Sequence, residues 1–480
     1  MKEIVGNRER DVNALKQLLP LEDVLFTTYA TENGIAFTVV YLDPLTDKAV
    51  LGEQVVRPLL CYRGEGNATA LSARLTAPEL KSTKEFSVLV EEILAGNSAI
   101  LFEGGDEAIV AGTKKVFVRA VAEPPTDIAL KGPREGFIED VKINASLVRR
   151  RLKTPDLKVE TLSVGTRSNA SVCIFYLDGI ADRKTVEQVK AKLKKINVDV
   201  LPDSSYLTRF LSERPRSLVK QVGTTEKPDI FCAKIAEGRV GILVDGSPVA
   251  LTVPYLLVED FQSAEDYFVP SYRATMVRIL RVFALIVAIY APAFYIAAQL
   301  FKLQLIPVKL LLTIAGSIRH IPLSPSLEML LVLLVLEVLN EASIRMPKYV
   351  GMALSVVGAL VLGETAVSAG FVSTPAIIII AFSGIGLYAV PNLIEVTSVL
   401  RLCMLLVAGS VGPYGIILFT AFILFYLTAT ESFGTPVLAP FSPVVKSDLY
   451  DSLVRYHFDA LAMRPRSLKS KNRRRAKKGE

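Results

Sequence analysis

Three acidic residues lie within one strongly apolar part of the chain, where a charge needs support from the fold. Glu328, Glu337 and Glu341 fall in or just after the apolar stretch from Leu327 to Leu339, and Glu364 follows the next apolar run. A charged side chain at membrane depth costs about 2.5 to 3.5 kcal/mol, so it usually faces a bundle interior or water. The pattern favours side chains that line or gate a path for ions.

Nearby cations leave a structural alternative open for part of this set. Arg345 lies one helical turn beyond Glu341, so the two could instead form a salt bridge on a helix surface. Glu337 shares a helical face with Glu341, and neither Glu337 nor Glu328 has a cation close by in sequence. We predict an ion pathway or gate formed by Glu328, Glu337, Glu341, Arg345 and Glu364.

Small residues recur in the stretch that follows. They are Gly351, Gly358, Gly363 and Gly370. Glycines let helix backbones approach closely in membranes. We therefore expect these four residues to pack helices together, within one chain or between protomers.

The residues needed for familiar enzyme chemistry are sparse. The chain has two histidines, His320 and His457, and its four cysteines lack CxxC spacing. It contains no phosphate-binding loop and no GxGxxG, HExxH or GxSxG motif. We predict that the protein is not an enzyme and uses no cofactor or metal. Asp43 and Asp178 follow strand-like runs and are expected to be turn residues rather than catalytic carboxylates.

Hydropathy is distributed unevenly over the 480 residues. The mean hydropathy is +0.40, yet residues 1 to 270 have the mixed charge of a globular domain. The first long apolar run, Val282 to Leu300, nearly spans the hydrocarbon core of a bilayer, and the last, Leu402 to Leu427, is compatible with one helix or two. The chain is thus predicted to be an integral membrane protein with four to six spans. Its charged start lacks signal-peptide features, which predicts a cytosolic soluble half.

Two segments of the soluble half occur twice, in the same order. FTVVYLDPLTDK, ending at Lys48, recurs as VCIFYLDGIADR, ending at Arg183, and ILAGNSAILFEG at 93–104 recurs as IAEGRVGILVDG at 235–246. Both copies join a β-type run to a helical stretch. We predict a soluble half of two duplicated α/β subdomains, followed by an α-helical transmembrane bundle. The expected regions are subdomain 1 at 1–130, a linker with an Arg-rich helix at 131–158, subdomain 2 at 159–262, the transmembrane domain at 263–430 and a basic tail at 431–480.

The last residues of the sequence are strongly basic. From Arg464 onward, nine lysines and arginines face only Glu480, and they supply most of the net charge of +7. A basic run near a membrane segment typically marks a cytosolic end, while attraction to anionic lipid or RNA is the alternative. We predict a cytosolic tail, contact with membrane lipids and no nucleic-acid partner.

Several long blocks resemble the A subunits of the GerA-type spore germination receptors of endospore-forming bacteria. The resemblance covers most of the chain, and blocks of this length are highly specific. They are GPREGFIEDVKINASLVRRRLKTPDLK at 132–158, VEDFQSAEDYF, PLSPSLEMLLVLLVLEVLNEASIRMPKYVG, GALVLGETAVSAGFVSTPAIIIIAFSGIGLYAVPN and SFGTPVLAPFSP, in the family's order.

The resemblance implies a role in nutrient-triggered germination at the inner membrane of the dormant spore. It also implies partners, because the family's A subunits work with a nutrient-binding B subunit and a lipoprotein C subunit. A further implication is assembly into a homo-oligomer, a pentamer, that conducts cations. The residues that fall on matching family positions are Glu328, Glu337, Glu341, Arg345 and Pro347.

The sequence departs from the family pattern at three places. Leu333 stands where an acidic residue is frequent, Asn340 where a basic one is frequent, and Glu364 where glutamine is common. These departures leave room for the related stage V sporulation AF-like branch, which the resemblance associates with amplifying ion release. Two other functions remain as alternatives, a secondary transporter and a membrane-anchored scaffold.

Overall fold

The structure is a computed structural model, and it describes residues 3–64, 66–115, 132–319, 321–345 and 363–475. Two of the four glycines predicted to pack helices, Gly351 and Gly358, lie outside the described residues. Pro347 and His320 lie outside them as well.

The soluble half contains two antiparallel sheets with the same topology. The first has the strand order β1-β2-β4-β5-β3 and the second the order β6-β7-β9-β10-β8. The repeated Tyr-Leu segments occupy equivalent places, because Leu42 ends β2 and Leu177 ends β7. The predicted duplication is therefore present as two copies of one sheet. The strands are β1 Val24–Ala30, β2 Ala36–Leu42, β3 Leu80–Thr83, β4 Ser98–Phe102, β5 Ala108–Ala111, β6 Leu157–Val164, β7 Ala170–Leu177, β8 Gly223–Thr225, β9 Val240–Val244 and β10 Ala250–Val253.

Helices cover both faces of each sheet. Successive strand residues point to opposite faces, so Val40 packs in one core of the first sheet and Val39 in the other. In the second sheet Ile174 and Phe175 divide in the same way. Each unit thus has three layers, helix, sheet and helix. The helices are α1 Arg8–Leu18, α2 Lys48–Val50, α3 Arg57–Leu60, α4 Ala68–Ser72, α5 Phe86–Leu94, α6 Val141–Arg151, α7 Arg183–Lys194, α8 Ser204–Leu211 and α9 Pro228–Ala236, with a π-helix at Leu51–Val56.

Helix α6, in the segment predicted as a linker, connects the two α/β units. Asp140 begins it by accepting hydrogen bonds from the backbone N–H groups two and three residues later, as a helix N-cap does. Phe137 and Val148 pack into the core of the second unit. From the same helix, Arg149 reaches Asp23 of the first unit, with Nη2 and Oδ1 2.7 Å apart.

The second half of the chain is a group of apolar helices. The long helix α10 packs against α13 and α14. By length and composition, two helices of the described residues could cross a membrane, Ser271–Phe301 and Pro391–Val411. The helices are α10 Ser271–Phe301, α11 Val308–Ile318, α12 Pro325–Arg345, α13 Thr374–Leu387, α14 Ile394–Val411 and α15 Pro413–Thr428.

The last apolar run is divided into two helices at Gly412. This residue has φ +72°, a backbone conformation that L side chains rarely adopt, and a Cβ there would lie 2.7 Å from the Phe301 ring. Pro413 then occupies the first turn of α15, where its missing N–H is no loss. The choice between one helix and two that the sequence left open is decided by these two residues.

The residues after α15 return to the second α/β unit. Ser432 Oγ donates to the Gln221 carbonyl at 2.6 Å and accepts from the Tyr255 N–H at 3.0 Å. Phe433 enters the core of that unit. Farther along, Arg464 Nε donates to the Ala236 carbonyl at 2.7 Å. The start of α10 and the end of α15 therefore lie on the same side of the helical half.

Candidate functional site: buried charges of the helical half

Glu328 is the most deeply buried of the predicted ion-pathway residues. It lies in the first turn of α12 and is fully inaccessible to solvent. Its Oε1 accepts a hydrogen bond from the Ser373 backbone N–H at 2.6 Å, at the residue that caps α13. Within the described part of the chain, its Oε2 has no hydrogen-bond donor. One carboxylate oxygen is thus held in place, while no described residue donates to the other.

The surroundings of Glu328 combine apolar packing with two further buried oxygens. The flanking cluster includes Met329 and Val372. Tyr295 Oη and Gln299 Oε1, one turn apart on α10, are buried, and the Tyr295 hydroxyl interacts with Gln299 and Ser373. Unpaired buried oxygens are rare in folded proteins and call for an explanation. A proton on the carboxylate, or a small desolvated cation, could satisfy this group of oxygens.

Glu337 is paired with a cation that the sequence analysis did not identify. Its Oε1 lies 2.5 Å from Nη2 of Arg401 on α14, and that arginine side chain is completely buried. Arg401 Nη1 also donates to Ser383 Oγ at 3.1 Å, and Ser383 Oγ donates to the Ala288 carbonyl at 2.6 Å. The chain of contacts joins α12, α14, α13 and α10. The sequence signal for this partner of Glu337 is a single arginine directly before an apolar run.

The remaining predicted residues lie at exposed places. Glu341 and Arg345 form the surface salt bridge that the sequence left open, with Oε1 and Nη2 2.6 Å apart and both side chains largely exposed. A pair of this kind contributes about 0.3 to 0.5 kcal/mol. Glu364 is exposed, and a Cβ on Gly363 would meet nothing within 4 Å. Gly370 has φ +70°, a left-handed backbone conformation that itself favours glycine at this position.

A second group of buried charges joins the soluble half, α10 and the tail. Arg278 is fully buried on α10, with Nε 2.9 Å from Asp266 Oδ2 and Nη1 3.0 Å from Asp451 Oδ1. Tyr267 Oη donates to Asp451 Oδ2 at 2.9 Å. Burial, reinforced by Asp451, raises the pKa of Tyr267, so its hydroxyl keeps the proton that it donates. These contacts fix the angle at which α10 leaves the soluble half.

Beside this junction, Glu259 is held between two cations of the second α/β unit. Its Oε2 lies 2.7 Å from Lys234 Nζ and its Oε1 lies 3.0 Å from Arg239 Nη2. Burial opposes ionisation of Glu259, but Arg239 and Lys234 outweigh it and hold the pKa of the carboxyl below the usual 4.5. The charged form is therefore the one that the fold binds.

The lowered pKa predicts how stability depends on pH. Glu259 contributes its full stabilisation above pH 4.5, and the contribution is lost as the pH falls through the lower folded-state pKa. Glu259→Gln is expected to cost about 2 kcal/mol at neutral pH, with a difference from the parent that shrinks in acid. Thermal unfolding of the detergent-purified chain, followed by circular dichroism at several pH values, measures this. A difference that stays constant into acid would contradict the assignment.

Two similar α/β units joined to apolar helices with buried charges define a membrane-associated protein with a large soluble half. The family described as Bacillus/Clostridium GerA spore germination protein matches residues 13–467. The chain therefore belongs to the GerA family, which confirms the resemblance carried by its sequence blocks.

Two similar proteins match this chain over nearly its full length. Spore germination protein KA of Bacillus subtilis (strain 168) is 34% identical over 448 residues, which cover 92% of this chain and 82% of that protein. The uncharacterized membrane protein YfkQ of the same organism is 31% identical over 479 residues, covering 97% and 93%. The N-terminal domain of the A subunit of the Bacillus megaterium spore germinant receptor GerK3 covers 53% of this chain and 97% of its own, at 22% identity and a TM-score of 0.42. Membership in this family supports a role in spore germination.

Proposed function

We propose that this chain is an A-type membrane subunit of a spore germination receptor and forms an oligomeric cation channel. Its partners are receptor subunits of the B and C types, and further copies of itself in a pentamer. The family membership supports the receptor role. The observation that carries the ion-conducting role is the buried carboxylate of Glu328, with one oxygen left unpaired within the described residues.

The proposed topology places the soluble half and the tail together in the cytosol, with the helices in the inner spore membrane. Support comes from the tail, since Ser432 and Arg464 bind the same α/β unit that leads into α10. A chain whose two ends lie on one side of a membrane crosses it an even number of times. Four or six spans meet this condition, and membrane lipids then surround the exposed apolar side chains of α10 and α15.

Glu328 fits an ion-handling role because of how its two oxygens differ. The backbone N–H of Ser373 orients Oε1 at the start of α13, where the helix dipole favours negative charge. The other oxygen, together with Tyr295 and Gln299, offers ligands to a proton or a monovalent cation. Hard cations prefer oxygen ligands of this kind. A carboxylate held in this way can bind an ion transiently as the helices move.

Glu328→Gln tests this proposal, because it keeps the shape of the side chain and removes the charge. Spores carrying the variant are expected to release potassium and other monovalent cations much more slowly after nutrient addition, at normal membrane abundance of the protein. Cation release is followed with an ion-selective electrode, and abundance by immunoblot of the membrane fraction. Unchanged release at normal abundance would overturn the ion-pathway role.

The matched control is Glu341→Gln. It removes the same charge from the same helix, but at an exposed position where Arg345 remains solvated, so cation release is expected to stay near the parental rate. Glu337→Gln is less informative, because it leaves Arg401 buried without its countercharge and so perturbs folding as well as any ion path.

A secondary transporter is the second candidate, and the fully buried carboxylate of Glu328 in the helical half favours it. Reconstitution in planar bilayers separates the two, since a channel gives discrete conductance steps and a transporter gives only slow coupled flux. A membrane-anchored scaffold of the germination response would give neither, and Glu328→Gln would then leave cation release intact.

A further inference from the structure

Helix α8 of the second α/β unit has an exposed apolar face. Tyr206 and Phe210, one turn apart, are 57% and 41% exposed. On the opposite side Leu207 and Leu211 are fully buried and hold the helix against the sheet. Leu218, in the loop after the helix, is 49% exposed. Apolar side chains grouped in this way on a soluble unit mark an interaction surface.

Basic side chains border this apolar face. Arg209, Arg214 and Arg216 are all exposed. The exposed acid among them, Glu213, accepts the backbone N–H of Gly434 at 3.3 Å, so its charge is directed toward the residues after α15. The surface therefore offers aromatic and aliphatic groups together with three guanidinium groups.

The surface lies at the end of an apolar helix of the second half. Tyr426, in the last turn of α15, donates to Ser217 Oγ at 2.8 Å and accepts from the Leu218 N–H at 3.2 Å. On α15, Phe425 directly before Tyr426 and Phe422 one turn back are exposed. Leu218 thus continues the apolar surface of α15 at the level where that helix ends.

We infer that α8 and the loop 212–220 form an interfacial membrane contact. Tyr206, Phe210 and Leu218 enter the boundary between headgroups and acyl chains, where aromatic side chains are enriched and where amphipathic helices bury their apolar face. The three arginines bind the phosphates of anionic lipids in the same leaflet. The inference requires that α15 lies in a membrane, but it does not require that the protein conducts ions.

The test uses a tryptophan as the reporter, because the chain has none of its own. The full-length Phe210→Trp variant is reconstituted into vesicles of phosphatidylcholine and phosphatidylglycerol that contain lipids brominated near the headgroup or deep in the chain. We expect blue-shifted emission and strong quenching by the shallow label. Leu18→Trp is the control, since Leu18 is similarly exposed, at 44%, on α1 of the first unit, and its emission should be unaffected.

The arginines are tested in the same Phe210→Trp background. About 1 kcal/mol for each basic residue near an anionic surface corresponds to roughly fivefold in affinity, so Arg216→Gln should lower the preference for brominated phosphatidylglycerol over brominated phosphatidylcholine by up to about that factor. Emission that resembles the Leu18→Trp control would overturn the inference. If neither brominated lipid nor aqueous acrylamide quenches the tryptophan at position 210, the inference is also overturned, and a second protein chain covers this face instead.

Discussion

Arg401→Met is expected to destabilise the protein by about 2 to 3 kcal/mol, because it removes the buried guanidinium that pairs with the carboxylate of Glu337 in the helical half. Arg401 is fully buried, and its guanidinium contacts side chains of two other helices. The Glu337 side chain is 34% exposed, so in the variant its carboxylate either takes up a proton or turns away from the neighbouring helices. The midpoint of thermal unfolding of the detergent-purified protein, followed by circular dichroism, measures the loss.

The double variant Glu337→Gln with Arg401→Met identifies the cause. It removes both charges, so much of the lost stability should return, since replacing a whole buried pair is often nearly neutral. Arg345→Met is the matched control on the surface, where the loss of the exposed pair with Glu341 should be barely measurable. If the double variant is as unstable as the single one, packing rather than charge is what Arg401 supplies.

The second large effect is expected at the contact between the two α/β units. Arg149 donates from Nε and Nη2 to the two carboxylate oxygens of Asp23, at 2.8 and 2.7 Å, and from Nη1 to the Leu157 carbonyl at 2.9 Å. Burial raises the pKa of Asp23 even though Arg149 lowers it, so desolvation is the larger influence on this carboxyl. Removing one partner then leaves a buried charge, and Arg149→Met should cost about 3 to 5 kcal/mol.

Hydrogen exchange localises this second effect. In Arg149→Met, amides around Asp23 at the start of β1 should exchange faster, whereas those of β9 in the second sheet should keep their protection. Arg150→Met is the control, since Arg150 is its neighbour on α6 but is partly exposed and pairs with Glu135 at 3.5 Å. Equal exchange in both variants would mean that the Asp23 contact does not hold the units together.

The parts of the fold that the sequence predicts are those encoded locally. The Tyr-Leu-Asp segments identify β2 and β7, because the side-chain pattern of an interior strand is complete within a few consecutive residues. The same segment matches reveal the duplicated topology. The sequence could suggest a salt bridge between Glu341 and Arg345, because the two residues are four positions apart on one helix. Such features require no knowledge of which helices are neighbours.

The features that the sequence left open depend on contacts between distant residues. Arg401 and Glu337 are 64 positions apart, so the sequence showed an acid without a cation. Composition likewise identified a basic tail, but it could not show that Arg464 binds the Ala236 carbonyl 228 positions earlier. Glu328 was identified from its apolar surroundings alone, whereas its unpaired oxygen is visible only once α10, α12 and α13 are packed together.

The contact between the tail and the second α/β unit sets the order in which this protein can fold during its synthesis. Gln221 leaves the ribosome 211 residues before Ser432, its hydrogen-bond partner, and Phe433 joins a core whose strands were made long before. While α10 to α15 are being synthesised, the part of the second α/β unit that binds the tail stays uncovered. The core of that unit is therefore completed only on chains whose helices have all been translated, and a nascent chain that stops earlier has an incomplete core.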